Sequence, residues 1–205
     1  MIARALPLTL TLAAALTLSG CSSAPARYYT LITDQQQASR ATTASAGFQF
    51  EMLPVRIPVQ VDQPSLMVRE STGSLAILES ARWASPLADE LHDALAMEME
   101  RRLGVRDLAG MPKRSGQPLL RLRTDVRRFE SESGGQATLD AVWNLSLSRG
   151  ESQQRHLTCS SVFAEPAGAD LDELVAAHQR AVAALADTIA ATATKWVEDP
   201  DFGCL

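Results

Sequence analysis

Mostly apolar residues, with Thr124 and Ser161 among them, alternate with polar ones in three consecutive stretches of the chain, at 119–129, 137–148 and 155–163. A period of two indicates strands that bury one face. The turn sequence Ser131 to Gly135 separates the first two stretches, so two antiparallel hairpins are the simplest topology. Trp143 lies on the apolar face of the middle strand, where we predict it to be a core anchor.

Two other stretches follow the helical period. The first covers residues 86–103, and the second begins at residue 171 and ends near Trp196, the last apolar anchor of its stripe. Ser85 is the predicted N-cap of the first helix and Pro86 its first residue. Asp170 is suited to cap the second helix, which is long enough to cross a whole sheet face.

Shorter β patterns precede these elements, at 28–31, 48–55 and in a hairpin over 66–79. The polar stretch 33–47 predicts a mobile loop. Together the elements predict the α/β (α+β) class: a single domain over residues 28–205, with a mixed, mostly antiparallel sheet and two main helices packed on it.

The N-terminus has the pattern of a secretion signal. Arg4 precedes an apolar run over 5–18, which is short for a membrane span. The run ends in Leu-Ser-Gly before Cys21, an arrangement that resembles the bacterial lipobox. We therefore predict a lipoprotein signal peptide at 1–20, lipidation of Cys21, and a tether over 21–27. A plain secretory signal and an uncleaved anchor are the alternatives.

Charge and cysteine content narrow the function classes. Without residues 1–20 the chain keeps 18 basic and 24 acidic residues, which argues against binding nucleic acid. Ser22 and Ser23 lack the aspartate that resembles an inner-membrane retention signal, which favours the periplasmic face of the outer membrane. In that oxidising compartment Cys159 and Cys204 can form a disulfide; the alternative is two free thiols.

The candidates for chemistry form no catalytic or metal-binding set. His178 lies on the apolar stripe of the second helix, where a core histidine is the simpler reading, and His92 reads as a solvated side chain. Arg121, Arg123 and Arg127 form a row that fits either a solvated sheet face or an acidic partner. The sequence therefore predicts no enzyme, no metal and no cofactor.

Four pieces of the chain together resemble the ABC-type transport auxiliary lipoproteins of the PqiC/YmbA type. They are the Cys21-Ser22-Ser23 start with Tyr28-Tyr29-Thr30-Leu31, the RWASPL entry to the first helix, the strand pair LLRLRTDVRRF and ATLDAVWNLSL, and the helix LVAAHQRAVAALADTIA. In this resemblance Trp83 is a core anchor that fixes how the chain enters the first helix. The disulfide pair is not recognised as a family feature.

The resemblance implies a role beside a transporter that moves lipids between two membranes. The lipoprotein would dock a periplasmic MCE-domain protein, together with ABC transporter components, at the outer membrane. Attachment through the N-terminal lipid is implied, and a homo-oligomer is compatible with it. The alternatives are a structural envelope lipoprotein that binds the cell wall or another complex, and a periplasmic enzyme with a scattered active site.

Overall fold

The computed structural model describes residues 25–33, 47–150 and 153–205. In chain order its strands and helices are β1 Arg27–Tyr29, β2 Gln49–Met52, β3 Ser65–Ser71, β4 Ser74–Trp83, α1 Leu87–Leu103, β5 Leu119–Ser131, β6 Gln136–Arg149, β7 Gln153–Pro166 and α2 Leu171–Glu198.

The larger sheet has four strands in the order β2-β5-β6-β7. The short β2 is parallel to β5, and β5, β6 and β7 form the predicted antiparallel meander. Every second residue of β6 is buried, from Ala137 to Leu147, as the alternating pattern predicts. The period of two therefore identified the three long strands correctly, because only one face of the sheet is covered.

The remaining strands form a separate three-stranded sheet in the order β1-β4-β3, with β1 parallel and β3 antiparallel to β4. The sequence predicted one mixed sheet. The structure has two because the segment after β2 contains Pro54, Pro58 and Pro64, which cannot continue a central strand. This segment carries the chain from one sheet to the other.

Helices α1 and α2 pack against each other, and α2 also packs against β6 and β7. Helix α1 ends at Gly104 with φ 65°, a left-handed residue that suits glycine. The hydrophobic core lies between the helices and the two sheets, so the α+β single-domain class is confirmed. No helix in the described part of the chain is both long enough and apolar enough to span a bilayer.

Several predictions fall outside the described residues. They are the signal peptide, the lipidation site Cys21 and most of the loop predicted over 33–47. Strand β1 begins at Arg27, so it includes the last residue of the predicted tether.

Candidate functional site

The entry to α1 differs in detail from the prediction. Pro86 is the N-cap rather than the first helical residue, and Ser85 lies one position further out. The Ser85 hydroxyl does not accept a bond from the first turn, so Ser85 as the N-cap was wrong. It donates instead to Glu90 Oε1 at 2.9 Å, because the buried carboxylate of Glu90 needs donors.

Glu90 joins three segments of the chain. Its carboxylate accepts bonds from the Ser85 hydroxyl and amide, from the Thr30 hydroxyl at 2.7 Å and from the Leu31 amide at 2.8 Å. The side chain is only 3% exposed, and the described part of the chain offers it no ion pair. Glu90 therefore fixes the residues after β1 against the start of α1.

Trp83, the predicted anchor ahead of α1, is buried in an aromatic cluster. Its ring meets Phe129 edge-on at 5.9 Å, and Phe129 stacks on His178 at 4.0 Å. The cluster links β4, β5 and α2. This places His178 in the core, as the sequence predicted.

His178 forms the arrangement nearest to a catalytic pair. Its Nε2 lies 2.8 Å from the Ser131 hydroxyl, but no described residue binds Nδ1, so no acid orients the ring. Burial lowers the pKa of His178 to about 3, which keeps the ring neutral near pH 7. The cavity beside Ser131 is about 10 Å³, the space of one water. The pair is therefore a satisfied core contact without room for a substrate.

Trp143 and Trp196 are also core residues. Trp143 is fully buried and its Nε1 donates to the Ser161 hydroxyl at 3.0 Å. Trp196, near the end of α2, lies under the guanidinium of Arg155, which is 4.7 Å from the ring centre. Arg155 also donates to the Trp196 carbonyl at 3.1 Å. These contacts fix the end of α2 against β7.

Cys159 and Cys204 form a disulfide in the structure, with their Cα atoms 5.8 Å apart. Cys159 lies on the covered face of β7, and the chain turns back after α2 to bring Cys204 beside it. Lys195 lies over the ring of Phe202 at 5.1 Å within this turn. The bond ties the C-terminal tail to the sheet, where an untied tail would fray.

Two carboxylates, Glu51 and Asp187, pair with basic side chains. Burial acts to raise the pKa of Glu51, but hydrogen bonds from Lys113 and Arg121 outweigh it and lower that pKa. The bond from Arg102 lowers the pKa of Asp187, and partial burial only offsets this in part. These pairs brace β2 against β5 and α1 against α2.

The predicted arginine row is divided. Arg121 binds Glu51 at 2.6 Å, whereas Arg123 and Arg127 are exposed on β5. His92, predicted to be solvated, is half-buried, and its Nδ1 is buried without a hydrogen-bond partner in the described part of the chain. The reason is that His92 packs beside the segment after β1, where it lines a shallow groove with Ile32.

Two open grooves lie in the described part of the chain. An open groove of about 650 Å³ lies between α1, α2 and the residues after β1. Another of about 410 Å³ lies where β6, β7 and the end of α2 meet. Neither is lined by histidine or cysteine, and the described residues hold no cluster suited to a metal ion.

Sequence reasoning missed the role of Glu90. Glu90 lies on the buried stripe of α1, which also contains Leu87, Leu91 and Ala94. A charged residue on such a stripe signals a buried hydrogen-bond network. That signal identifies the residue but not its partners, since Thr30 and Leu31 are about sixty residues away in the chain.

Comparisons with known proteins identify a family and a shared fold. The family model of the ABC-type transport auxiliary lipoprotein component matches residues 29–190. No curated protein matches the chain. A solved structure of an uncharacterized protein is similar over 82% of this chain and 98% of its own, with 19% identity and a TM-score of 0.60. A Xanthomonas campestris protein of the DUF330 family is similar over 85% and 99%, with 22% identity and a TM-score of 0.59.

The two structural likenesses show the shared fold, and the family model spans every strand and helix from the end of β1 to the middle of α2. The chain belongs to the ABC-type transport auxiliary lipoprotein family.

Proposed function

We propose that this chain is a lipid-anchored periplasmic component of an ABC/MCE-type intermembrane lipid transport system, which docks the MCE-domain protein at the outer membrane. The family match over residues 29–190 carries the proposal. The Leu-Ser-Gly-Cys sequence that ends at Cys21 supplies the anchor.

The interior supports a docking role rather than a lipid-carrying one. A pocket that encloses a small-molecule ligand has a volume of roughly 300–1,000 Å³ and is mostly apolar. The cavities lined by core residues, one beside Val126 and one beside Phe129, are about 10 Å³ each. The larger grooves are open and partly lined by charged groups such as Arg101 and Arg155. The function then depends on the outer surface of the domain.

The test is an affinity purification of the lipidated chain from membranes dissolved in mild detergent, with partners identified by mass. The expected result is recovery of an MCE-domain protein with ABC transporter components. The matched control is Cys21→Ser, which keeps the folded domain but removes the lipid. It is expected to lose outer-membrane fractionation.

Each other outcome favours a different function. Recovery of cell-wall fragments or of an unrelated envelope complex would support the structural lipoprotein instead.

Density fractionation of the membranes tests the outer-membrane location, because an inner-membrane lipoprotein separates with the inner-membrane enzymes. The mass of the purified complex reports whether the chain forms a homo-oligomer.

A further inference from the structure

One surface of the three-stranded sheet exposes apolar side chains. Ile77 is 58% exposed and Leu75 48% exposed on β4, and the half-buried Met67 is the cross-strand partner of Ile77. Leu75 and Ile77 point away from the core, because Leu66 and Leu78 fill the opposite face, whereas Met67 also borders the small cavity beside Trp83 and Phe129. Apolar groups clustered on an exposed surface mark a contact with a partner or a membrane.

Strand β1 extends the same surface. Tyr28 is 66% exposed and pairs with Arg82 of β4, while its neighbour Tyr29 is buried. Tyr28, Leu75 and Ile77 are three of the seven large apolar side chains exposed in the described part of the chain. We call the surface formed by Tyr28, Met67, Leu75, Ile77 and Arg82 the outer face of the small sheet.

The length of the tether decides what can cover this face. Five residues lie between Cys21 and Arg27, where β1 begins, so six residue-to-residue steps join the two. Fully extended, they span at most about 20 Å. A lipid on Cys21 therefore holds β1, and the small sheet to which it belongs, close to the leaflet.

The opposite end of the domain is out of reach of this tether. Helix α2 has 28 residues and is about 42 Å long. Its first half contacts the β1 region, where Gln179 donates to the Thr30 carbonyl at 3.0 Å. Its last turn, with Trp196 and the disulfide-bound tail, lies at the far end. The end that carries the small sheet is therefore the end nearest to the leaflet.

We propose that the outer face of the small sheet lies on the lipid leaflet in which the chain is anchored. The proposal rests on the proposed function, because it needs the lipid on Cys21. Leu75 and Ile77 enter the headgroup boundary, where burial of apolar side chains is favourable. Tyr28 and Arg82 have an apolar body and a polar tip, which suits the headgroup level.

The test places a reporter on this face. The lipidated chain with Ile77→Trp is reconstituted in phosphatidylcholine vesicles, with and without brominated acyl chains. These vesicles are zwitterionic because β4 carries both signs of charge next to the face, with Glu79 and Arg82 exposed, so the test does not depend on lipid charge. The three native tryptophans are buried, so the unsubstituted chain gives the background emission. Leu75→Trp is a second reporter on the same strand.

The matched control is Val162→Trp. Val162 is 57% exposed and Ile77 is 58% exposed, but Val162 lies on the outward face of the large sheet. We expect emission from tryptophan at 77 or 75 to shift to the blue and to be quenched by brominated lipid. Emission at 162 is expected to stay red and unquenched.

Three results would overturn the proposal. They are quenching at 162 alone, equal quenching at both faces, and a blue-shifted emission at 77 that brominated lipid does not quench. The last would show that protein, for example a second copy of the chain, covers the face. The anchor is read separately, from the acyl mass on the N-terminal peptide and from flotation with vesicles. A chain without acyl mass overturns the anchor as well, whereas a floating chain with unquenched reporters overturns only the orientation.

Discussion

Replacing His178 with glutamine is expected to remove a part of the acid sensitivity of the fold. The imidazole is buried, with a pKa of about 3 in the folded chain against 6.5 for an unperturbed histidine. As the pH falls from 6.5 towards 3, the unfolded chain binds a proton at His178 and the folded chain does not. The resulting stability is therefore fully present above pH 6.5 and is lost on acidification.

The magnitude follows from the two pKa values. Between pH 7 and pH 5 the free energy of unfolding falls by about 2 kcal/mol through this single group. Glu51 and Asp187 also have lowered pKa values, so they too lose stability in acid. Their losses fall mainly below pH 5 and are common to wild type and variant, so they cancel in the comparison.

The assay is equilibrium urea unfolding of wild type and His178→Gln at pH 7 and pH 5, with the disulfide intact. The variant is less stable at pH 7, because it loses the stacking on Phe129. Its further loss on going to pH 5 is expected to be smaller than that of wild type by about 2 kcal/mol. His156→Gln is the matched control for the loss of a histidine outside the core, since His156 is exposed on β7. An equal loss in wild type and His178→Gln would refute the reasoning.

Four further predictions concern single residues. Glu90→Gln replaces two acceptor positions with an amide donor and is expected to lower the free energy of unfolding by about 2–3 kcal/mol in urea titrations, because buried donors lose their acceptor. Cys204→Ser opens a loop of 45 residues to Cys159 and should cost about 4 kcal/mol, whereas thiol labelling of both cysteines in the unreduced wild type would contradict the bond. Trp143→Ala should cost roughly 3–5 kcal/mol, and an unchanged melting temperature would contradict its burial. Cys21→Ala should leave an uncleaved and mislocalised precursor, visible by its mass and by fractionation.

The sequence predicted those strands and helices that have one buried face and one solvent-exposed face. Strands β5 to β7 and helix α2 satisfy this condition. The starts of β5 and α2 match the predicted residues, and the other ends lie within three residues of the predicted ones. Strand β4 does not satisfy it. Its pairing with β3 jumps from Ser65–Arg82 to Leu66–Leu78, and this irregularity changes which residues face the core. A single sequence contains no simple signal for such a shift.

The contacts of the candidate site depend on residues far apart in the chain, so local patterns could not predict them. Ser131 and His178 are 47 residues apart, and their bond exists only because β5 and α2 pack together. The helical stripe correctly placed His178 in the core, but it could not identify Ser131. The prediction of Ser85 as the N-cap of α1 was wrong for the same reason. The Ser85 hydroxyl donates to Glu90, which also holds the residues after β1.

The two ends of the domain are held by different means, and this difference bears on how the protein can work. At the β1 end, Glu90 and Gln179 hold the residues that follow the predicted tether, so a pull on the proposed anchor would reach α1 and α2 directly. At the other end the disulfide and Arg155 hold the tail and the last turn of α2. A domain fixed at both ends of its longest helix moves as one body. If the outer face of the small sheet rests on lipid, the end with the disulfide lies farther from the leaflet, where a periplasmic partner can be met.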